Sequence, residues 1–128
     1  MPDMWPKKLT NNEKISVYKC DLALQSDIRK FVDNFKKQND GLDILINNAG
    51  IIPKERIITN EGIETQFAVN YIAPYLLSRL LIDLLKKNSP SRIVHTSSTA
   101  HTSGNLNVND FQRLNEKYKM RGLRSYFD

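Results

Sequence analysis

Two short runs of polar residues each follow a predicted strand, and they carry the side chains that could bind a ligand. One is residues 47–50, after residues 42–46, which are apolar except for Asp43; the other is residues 96–98, after residues 92–95. A short apolar run is typical of a strand buried on both faces of a parallel sheet. Ligands of open α/β folds bind at the carboxyl edge of such a sheet, so both runs are candidate binding residues. For the first run, an ordinary Asx-type turn is the alternative.

The elements between these runs would bring their ends together. Apolar residues recur at helical spacing between residues 61 and 87, which predicts one long helix. Strand, helix and strand then form a βαβ unit, whose strands are parallel neighbours joined by a right-handed crossover. Ser98 would therefore lie near Gly50, a glycine that either takes a positive φ or lets another group approach the backbone closely. A second, amphipathic helix over residues 24–35 begins near Ser26 or Asp27 and covers the sheet.

Pro74 interrupts the long helix. It has no N–H, so it cannot donate to the carbonyl of Asn70, four residues earlier. The helix should kink there and leave that carbonyl unpaired on the buried side, where it needs a partner, usually water. This feature alone leaves open a packed Asn70 beside a proline kink and a functional Asn70 that holds a water.

The first part of the chain contributes one further candidate. Residues 15–20 alternate in character and contain β-branched and aromatic residues, which predicts a strand, and Asp21 and Leu22 follow it. Asp21 is either a turn or helix-capping carboxylate or a ligand contact. His95 and His101 have no carboxylate partner in the pattern, and we assign them no role.

These motifs resemble, in the same order, those of the short-chain dehydrogenase/reductase family. Asn47-Asn48-Ala49-Gly50 is similar to the family's Asn-Asn-Ala-Gly signature, and the surrounding chain is most similar to the retinol dehydrogenase branch. The resemblance implies an α/β fold with a partial Rossmann-like doubly wound parallel sheet, lacking its N-terminal βαβ unit and its C-terminal part. One partial dinucleotide-binding domain would then occupy residues 1–128.

The resemblance also implies roles for particular residues. Residues matching Tyr126, Ser98 and Asn70 serve the family as general acid/base, positioner of the substrate oxygen and holder of a water. Tyr118 is the next candidate for the tyrosine. The implied cofactor is NADP or NAD, and the implied substrate is a small lipophilic carbonyl or alcohol such as a retinoid. The residues implied to contact the cofactor are Asp21, Leu22, Asn47, Asn48, Ala49, Gly50 and Thr96.

Two family features are missing from the sequence. A Gly-rich turn holds the pyrophosphate in dinucleotide-binding folds, but the first glycine here is Gly41. The lysine that would follow Tyr126 by four positions would lie beyond Asp128. An unperturbed tyrosine has a pKa of about 10, and a nearby cation is what would lower it. We therefore expect a truncated chain or partial gene model that is inactive alone.

Composition argues against several other classes of protein. With 40% hydrophobic and 26% charged residues the chain is globular, and its single cysteine, Cys20, excludes a disulfide framework and a cysteine metal site. No metal site is predicted. Lysine pairs at helix ends account for much of the net charge of +5. The basic run from Arg113 to Arg124 is interpreted as a solvated face, so nucleic acid is not an expected partner.

Two further expectations concern membranes and partners. No apolar run reaches the length of a membrane span, and the N-terminal residues lack a signal-peptide core, so the chain as given is expected to be soluble. The sequence does not reveal the compartment, and a cytoplasmic or endoplasmic-reticulum-associated location is the expectation. The alternative to an enzyme is a non-catalytic interaction module. Such a module would dimerise through helix 61–87, whose leucines form a stripe.

Overall fold

The computed structural model describes residues 9–103, residues 107–115 and Tyr118. Two helices and two strands alternate in these residues. They are α1 (Gln25–Gln38), β1 (Ile44–Asn47), α2 (Thr65–Lys87) and β2 (Arg92–His95). A 3-10 turn, Thr99–Ser103, follows β2. The predicted α/β class is confirmed.

The two strands form a parallel pair. Ile44 lies opposite Arg92, and Asn47 lies opposite His95. Helix α2 connects them along the chain and packs on both, as the predicted strand–helix–strand unit requires. Because parallel strands end at the same edge, the residues after β1 lie beside the residues after β2.

The start of α1 agrees with the prediction, since Ser26 and Asp27 both lie in its first turn. The helix starts at Gln25, and its N-cap residue, Leu24, has no side chain that can accept a hydrogen bond from the first turn. The carboxylate of Glu61 does so instead, accepting from the backbone N–H of Gln25 at 2.7 Å and of Ser26 at 3.0 Å. A distant anion therefore takes the place of a local cap.

Helix α2 begins with a side-chain cap and contains an irregular turn. Glu64, rather than Glu61, precedes the first helical residue, and its carboxylate accepts from the N–H of Phe67 at 2.7 Å. The segment Ala68–Ile72 is a π-helical turn, followed by the regular α-helix Ala73–Lys87 with Pro74 in its first turn. A proline forces such a rearrangement because it lacks the N–H of the α-helical ladder.

The core lies between the two helices and one face of the sheet. Ile28 and Val32 of α1 meet α2 there, and Leu42 and Leu45 pack against the same cluster. The buried members contributed by α2 are Ala73, Leu76 and Leu81, with Leu77, Leu80 and Leu84 partly buried against them. The leucine stripe of α2 therefore packs within the chain, and a dimer would have to use another face of this helix.

Helix α2 is also long and apolar enough to cross a membrane. By length and composition Thr65–Lys87 is such a helix among the described residues, although the sequence analysis expected none. The core helix of a soluble protein passes the same test. The burial of Leu81 and Leu85, which are 3% and 2% exposed, is what packing in a protein core produces.

Residues 15–20, which were predicted as a strand, form no hydrogen-bonded pairing with β1 or β2. These residues have no regular secondary structure. They pack on α1 instead, where the ring of Tyr18 lies 5.8 Å from that of Phe31 and 6.1 Å from that of Phe35. Propensity favoured a strand, but a strand also needs a hydrogen-bonded partner, and the described residues supply none.

The sheet is covered on one face, whereas the apolar pattern predicted burial on both. Side chains alternate across a strand, so Leu45 faces the core while Ile44 and Ile46 face away. Ile44 is 51% exposed, Ile46 is 63% exposed, and Val94 of β2 is 44% exposed. We call the surface made by Ile44, Ile46 and Val94 the open sheet face.

Candidate functional site

The first amide of the run after β1 is held by the helix side of the fold. The side-chain nitrogen of Asn47 donates to the hydroxyl of Ser78 at 3.2 Å and lies 3.4 Å from Nδ1 of His95. The Ser78 hydroxyl in turn donates to the carbonyl of Pro74 at 2.7 Å. Asn47 therefore anchors the end of β1 to α2, and its amide points away from the exposed edge.

The second amide joins the ends of the two strands. The Thr96 hydroxyl donates to Oδ1 of Asn48 at 2.8 Å, and the Thr96 N–H donates to the carbonyl of Asn47 at 3.0 Å. The side chains of Thr96 and Asn48 are exposed. The structure thus brings together the two polar runs that the sequence placed at one edge.

Gly50 has open space where a side chain would be. A Cβ placed there would meet only the side-chain oxygen of Asn70, at 3.6 Å, and the φ of Gly50 is not in the left-handed range. The positive φ that was one expected reason for glycine is therefore absent. Close approach of another group to the backbone remains the reason that fits, and Ala49 beside it is also small and exposed.

Asn70 holds the chain just beyond Gly50. Its side-chain oxygen accepts from the N–H of Ile51, and its side-chain nitrogen donates to the carbonyl of Ile51, both at 2.9 Å. The amide thus pairs with one residue's backbone in the manner of a neighbouring strand. The water that the resemblance implies would be held by the main chain of Asn70, which lies in the π-helical turn.

Ser98 lies at the same edge, just before the 3-10 turn. It is half-buried, and its carbonyl accepts from the N–H of His101 at 3.4 Å and lies 2.6 Å from Nδ1 of the same residue. His101 therefore stabilises the turn that follows Ser98. Such a contact is local, in agreement with the absence of an acid–base assignment for this histidine.

Asp21 and Leu22 lie at the start of α1 and have structural contacts. The Asp21 carboxylate accepts from the N–H of Ala23 at 2.9 Å, which is an Asx-type turn. Leu22 packs against the hydrophobic core. The turn interpretation of Asp21 therefore holds, and nothing in its contacts opposes or requires a ligand.

Of the two candidate tyrosines, Tyr118 lies among the described residues. Tyr126 lies outside the described residues. The hydroxyl of Tyr118 donates to the carbonyl of Pro53 at 3.2 Å, and burial, followed by the charge of Glu64, raises the pKa of this phenol above 10.0. A raised pKa and an engaged hydroxyl are unfavourable for a general acid/base near neutral pH.

A family model described as short chain dehydrogenase matches residues 3–110, which include both polar runs and the helix between them. The chain belongs to the short-chain dehydrogenase family. The resemblance drawn from Asn47-Asn48-Ala49-Gly50 is thereby confirmed.

Relatives in this family agree with the retinol dehydrogenase branch. Retinol dehydrogenase 13 of Mus musculus is 38% identical over 109 residues, which is 85% of this chain and 33% of that protein. Polyprenol dehydrogenase of Homo sapiens is 41% identical over 110 residues, which is 83% of this chain and 33% of that protein. The chain spans about a third of the length of the curated relatives it matches.

Solved structures of the same fold are also similar to this short-chain dehydrogenase chain. An uncharacterized protein from Mycobacterium paratuberculosis aligns with a TM-score of 0.73 and 30% identity, covering 88% of this chain and 38% of that one. A short chain dehydrogenase from Burkholderia cenocepacia, solved in complex with NADP, aligns with a TM-score of 0.57 and 27% identity, covering 85% and 39%. The Rossmann-like nature of the fold is confirmed.

Two residues of this candidate site were not predicted from the sequence. Ser78 orients Asn47, and a signal for it exists, because a serine four residues after Pro74 can donate to the carbonyl of that turn. Ile51 pairs with Asn70 through its backbone alone. Every residue has a backbone, so the sequence gives no signal for a backbone partner. The contact between Asn70 and Ile51 was therefore not predictable.

Proposed function

We propose that this chain supplies part of the cofactor cleft in an NADP(H)-dependent carbonyl reductase or alcohol dehydrogenase, with residues 47–50 on the adenine and ribose side and Thr96 beside the nicotinamide. The observation that supports this most directly is the contact between Asn48 and Thr96 at the common carboxyl edge of β1 and β2. This edge is where open α/β folds bind ligands. The open space at Gly50 fits a cofactor that approaches the backbone closely.

Each residue of the edge has a distinct part in the proposal. Asn48, Ala49, Gly50 and Thr96 would hold the cofactor, which supplies a hydride when bound. The Ser98 hydroxyl would hydrogen-bond the substrate oxygen and so orient it. Tyr126 would give a proton to that oxygen during reduction and take it back during oxidation. Asn70 would fix the backbone at Ile51. It would thereby fix the position of residues 47–50, which we call the glycine corner.

The substrate of the proposed reaction is a lipophilic alcohol or the matching carbonyl compound. This part of the proposal rests on relatives named retinol dehydrogenase and polyprenol dehydrogenase, whose names specify lipophilic alcohols. NADP rather than NAD is proposed because the similar protein from Burkholderia cenocepacia was solved with NADP.

The experiment is an assay of the translated product that contains this sequence. NADPH oxidation would be followed with retinaldehyde as the substrate. Ser98→Ala and Tyr126→Phe should each lower turnover about 10²-fold or more, because each removes a group that acts on the reacting oxygen. Ser97→Ala, next to Ser98 in sequence, and Tyr75→Phe, at an exposed tyrosine of α2, are the matched controls. If Tyr118→Phe abolishes turnover and Tyr126→Phe does not, the assignment of the tyrosine is wrong.

A second candidate is a non-catalytic module that pairs through α2. Its exposed face favours this, since Tyr71 and Tyr75 are 64% and 61% exposed. The ring of Phe67 stacks on that of Tyr71, with 5.2 Å between the ring centres. Size-exclusion chromatography with a full-length relative would test it. Co-elution that is lost in the double variant Tyr71→Ser/Tyr75→Ser would support pairing, and separate elution of the unmodified chain would exclude it.

A further inference from the structure

A group of polar contacts outside the cofactor edge joins two parts of the chain that are distant in sequence. We call residues 51–64, which follow the glycine corner, the corner loop. Residues 107–115 together with Tyr118 are called the distal segment. The guanidinium of Arg56, in the corner loop, donates to the carbonyls of Arg113 and Leu114 in the distal segment, the second at 3.3 Å. One planar side chain thus binds two consecutive backbone groups.

Tyr118 adds a second set of contacts to the same side chain. The guanidinium carbon of Arg56 lies 5.4 Å from the centre of the Tyr118 ring, within the range of a cation–π interaction. The hydroxyl of this tyrosine donates to the carbonyl of Pro53, which also belongs to the corner loop. Tyr118 therefore contacts the corner loop through both its ring and its hydroxyl.

A third contact joins the distal segment to the start of α2. The side-chain oxygen of Gln112 accepts from the N–H of Glu64 at 2.8 Å. Close to it, Arg113 has a φ of 50°, in the left-handed region that a non-glycine residue rarely adopts. Such a conformation is strained and persists only where its surroundings enforce it. The polar contacts on both sides of Arg113 provide that enforcement.

Apolar burial contributes little to holding the distal segment. Its large apolar side chains stay exposed, Val108 at 64%, Phe111 at 53% and Leu114 at 44%. A segment that buries so little apolar surface opens easily unless other contacts hold it. The polar contacts made by Arg56, Tyr118 and Gln112 therefore contribute much of what holds the segment in place.

We infer that Arg56 is a positioning residue that holds the distal segment on the corner loop. We call its contacts, together with those of Tyr118 and Gln112, the clasp. The distal segment lies between Ser98 and Tyr126 in sequence, and Tyr118 precedes Tyr126 by eight residues. The clasp would hold the chain that leads to Tyr126 against the loop that leads away from Gly50. This consequence rests on the proposed function, but the clasp itself can be tested without catalysis.

The first measurement is amide hydrogen exchange of the purified 128-residue chain. The reporter is the amide of Glu64, which is hydrogen-bonded to Gln112 across the clasp. Arg56→Ala should speed exchange there by about tenfold or more, the factor that loss of charge-assisted hydrogen bonds implies. Arg56→Lys, which keeps the cation but not the planar fork, should restore part of the protection. Arg79→Ala, at an exposed arginine of α2, is the matched control.

The second measurement separates opening of the clasp from simple loss of a charge. Burial raises the pKa of Tyr118, and the charge of Arg56 lowers it. If Arg56→Ala opens the clasp, Tyr118 becomes exposed and its pKa falls towards the ordinary value. If the segment stays closed, loss of the cation raises that pKa further. Ultraviolet titration, with Tyr118→Phe to identify the signal, distinguishes the two results.

Both measurements must agree for the inference to stand. Faster exchange at Glu64 together with a lower Tyr118 pKa supports the clasp. Exchange within about twofold of the unmodified chain, or a Tyr118 pKa that rises in Arg56→Ala, overturns it. If Arg56→Ala does not fold, Arg56→Lys and Tyr118→Phe are measured in its place, and unchanged exchange in both overturns the inference. An inactive translated product would count against the proposed function and leave these results intact.

Discussion

Asn70 shows how one side chain can serve both a fold and a site. Its amide makes two hydrogen bonds to the backbone of Ile51, so it fixes the chain next to Gly50 from a helix 19 residues away in sequence. Removing it would leave the N–H and the carbonyl of Ile51 without these partners. Unsatisfied groups in a half-buried place cost more than the hydrogen bonds contribute when formed.

Asn70→Ala should therefore lower the free energy of unfolding by about 1–3 kcal/mol. Urea unfolding followed by circular dichroism measures this value. Asn60→Ala, at an exposed position of the corner loop, is the matched control and should change stability little. Equal stabilities of Asn70→Ala and Asn60→Ala would contradict the role of the Ile51 contact.

Thr96 should affect cofactor affinity more than folding, because it is exposed and its hydroxyl donates to Asn48. In the translated product, Thr96→Val keeps the shape of the side chain but loses this hydrogen bond, worth about 0.5–1.5 kcal/mol. We expect KM for NADPH to rise severalfold, and Thr96→Ser to keep the unmodified value. Steady-state kinetics at fixed carbonyl substrate would reveal this, and equal KM values for both variants would contradict it.

At the scale of secondary structure, the capping of α1 depends on a residue far along the chain. The hydrogen bond from the Ser26 side chain, then those from the backbone N–H groups of Ser26 and Gln25, lower the pKa of Glu61 below its ordinary value of 4.5. A carboxylate with a lowered folded-state pKa stabilises the fold above its unfolded pKa. This contribution is lost as the pH falls through the lowered value.

Glu61→Gln should accordingly reduce stability at pH 7 and have a smaller effect at pH 3, because acid protonates the carboxylate in the unmodified chain. Thermal unfolding at the two pH values measures the difference. Glu55→Gln, an exposed residue of the same loop, should show no such pH-dependent difference. A Glu61→Gln effect that is the same at both pH values would exclude the capping role of the charge.

The elements also show which inferences a sequence supports. The meeting of Asn48 and Thr96 was predictable, because two parallel strands must end at one edge. The irregular turn before Pro74 was predictable from the missing N–H. The cap supplied by Glu61 was not, since it depends on the path of a loop 35 residues further on. Residues 15–20 were predicted as a strand because propensity describes a segment and not its partner.

For the molecule as a whole, the open sheet face is the most unusual surface. Ile46 is 63% exposed at its centre, while Leu45, the preceding residue of the same strand, packs against the core. Contiguous exposed apolar residues promote association.

Ile46→Lys should therefore reduce self-association with little loss of stability, because it places a charge where water already reaches. Leu45→Lys is the matched control on the opposite face and should unfold the chain, since it would bury a charge. Light scattering and thermal unfolding of the two variants would check this. A destabilised Ile46→Lys, or a folded Leu45→Lys, would mean that the faces of β1 are assigned the wrong way round.

The 128-residue chain alone should show no measurable turnover of NADPH and a carbonyl substrate. Its sequence contains no Gly-rich turn before Gly41 to hold the pyrophosphate, so cofactor affinity should be weak. Absorbance at the NADPH wavelength measures turnover directly. Carbonyl reduction by the purified chain that Tyr126→Phe abolishes would contradict this expectation.

The central claim, that the ends of β1 and β2 form one cofactor-binding edge, is tested most directly by NMR titration of the isotopically labelled chain. NADPH added up to about 10 mM, a concentration that detects weak binding, should shift the amide signals of residues 48–50 and 96–98. Shifts at only one of these two runs, shifts confined to other parts of the chain, or no shifts at all would contradict the claim.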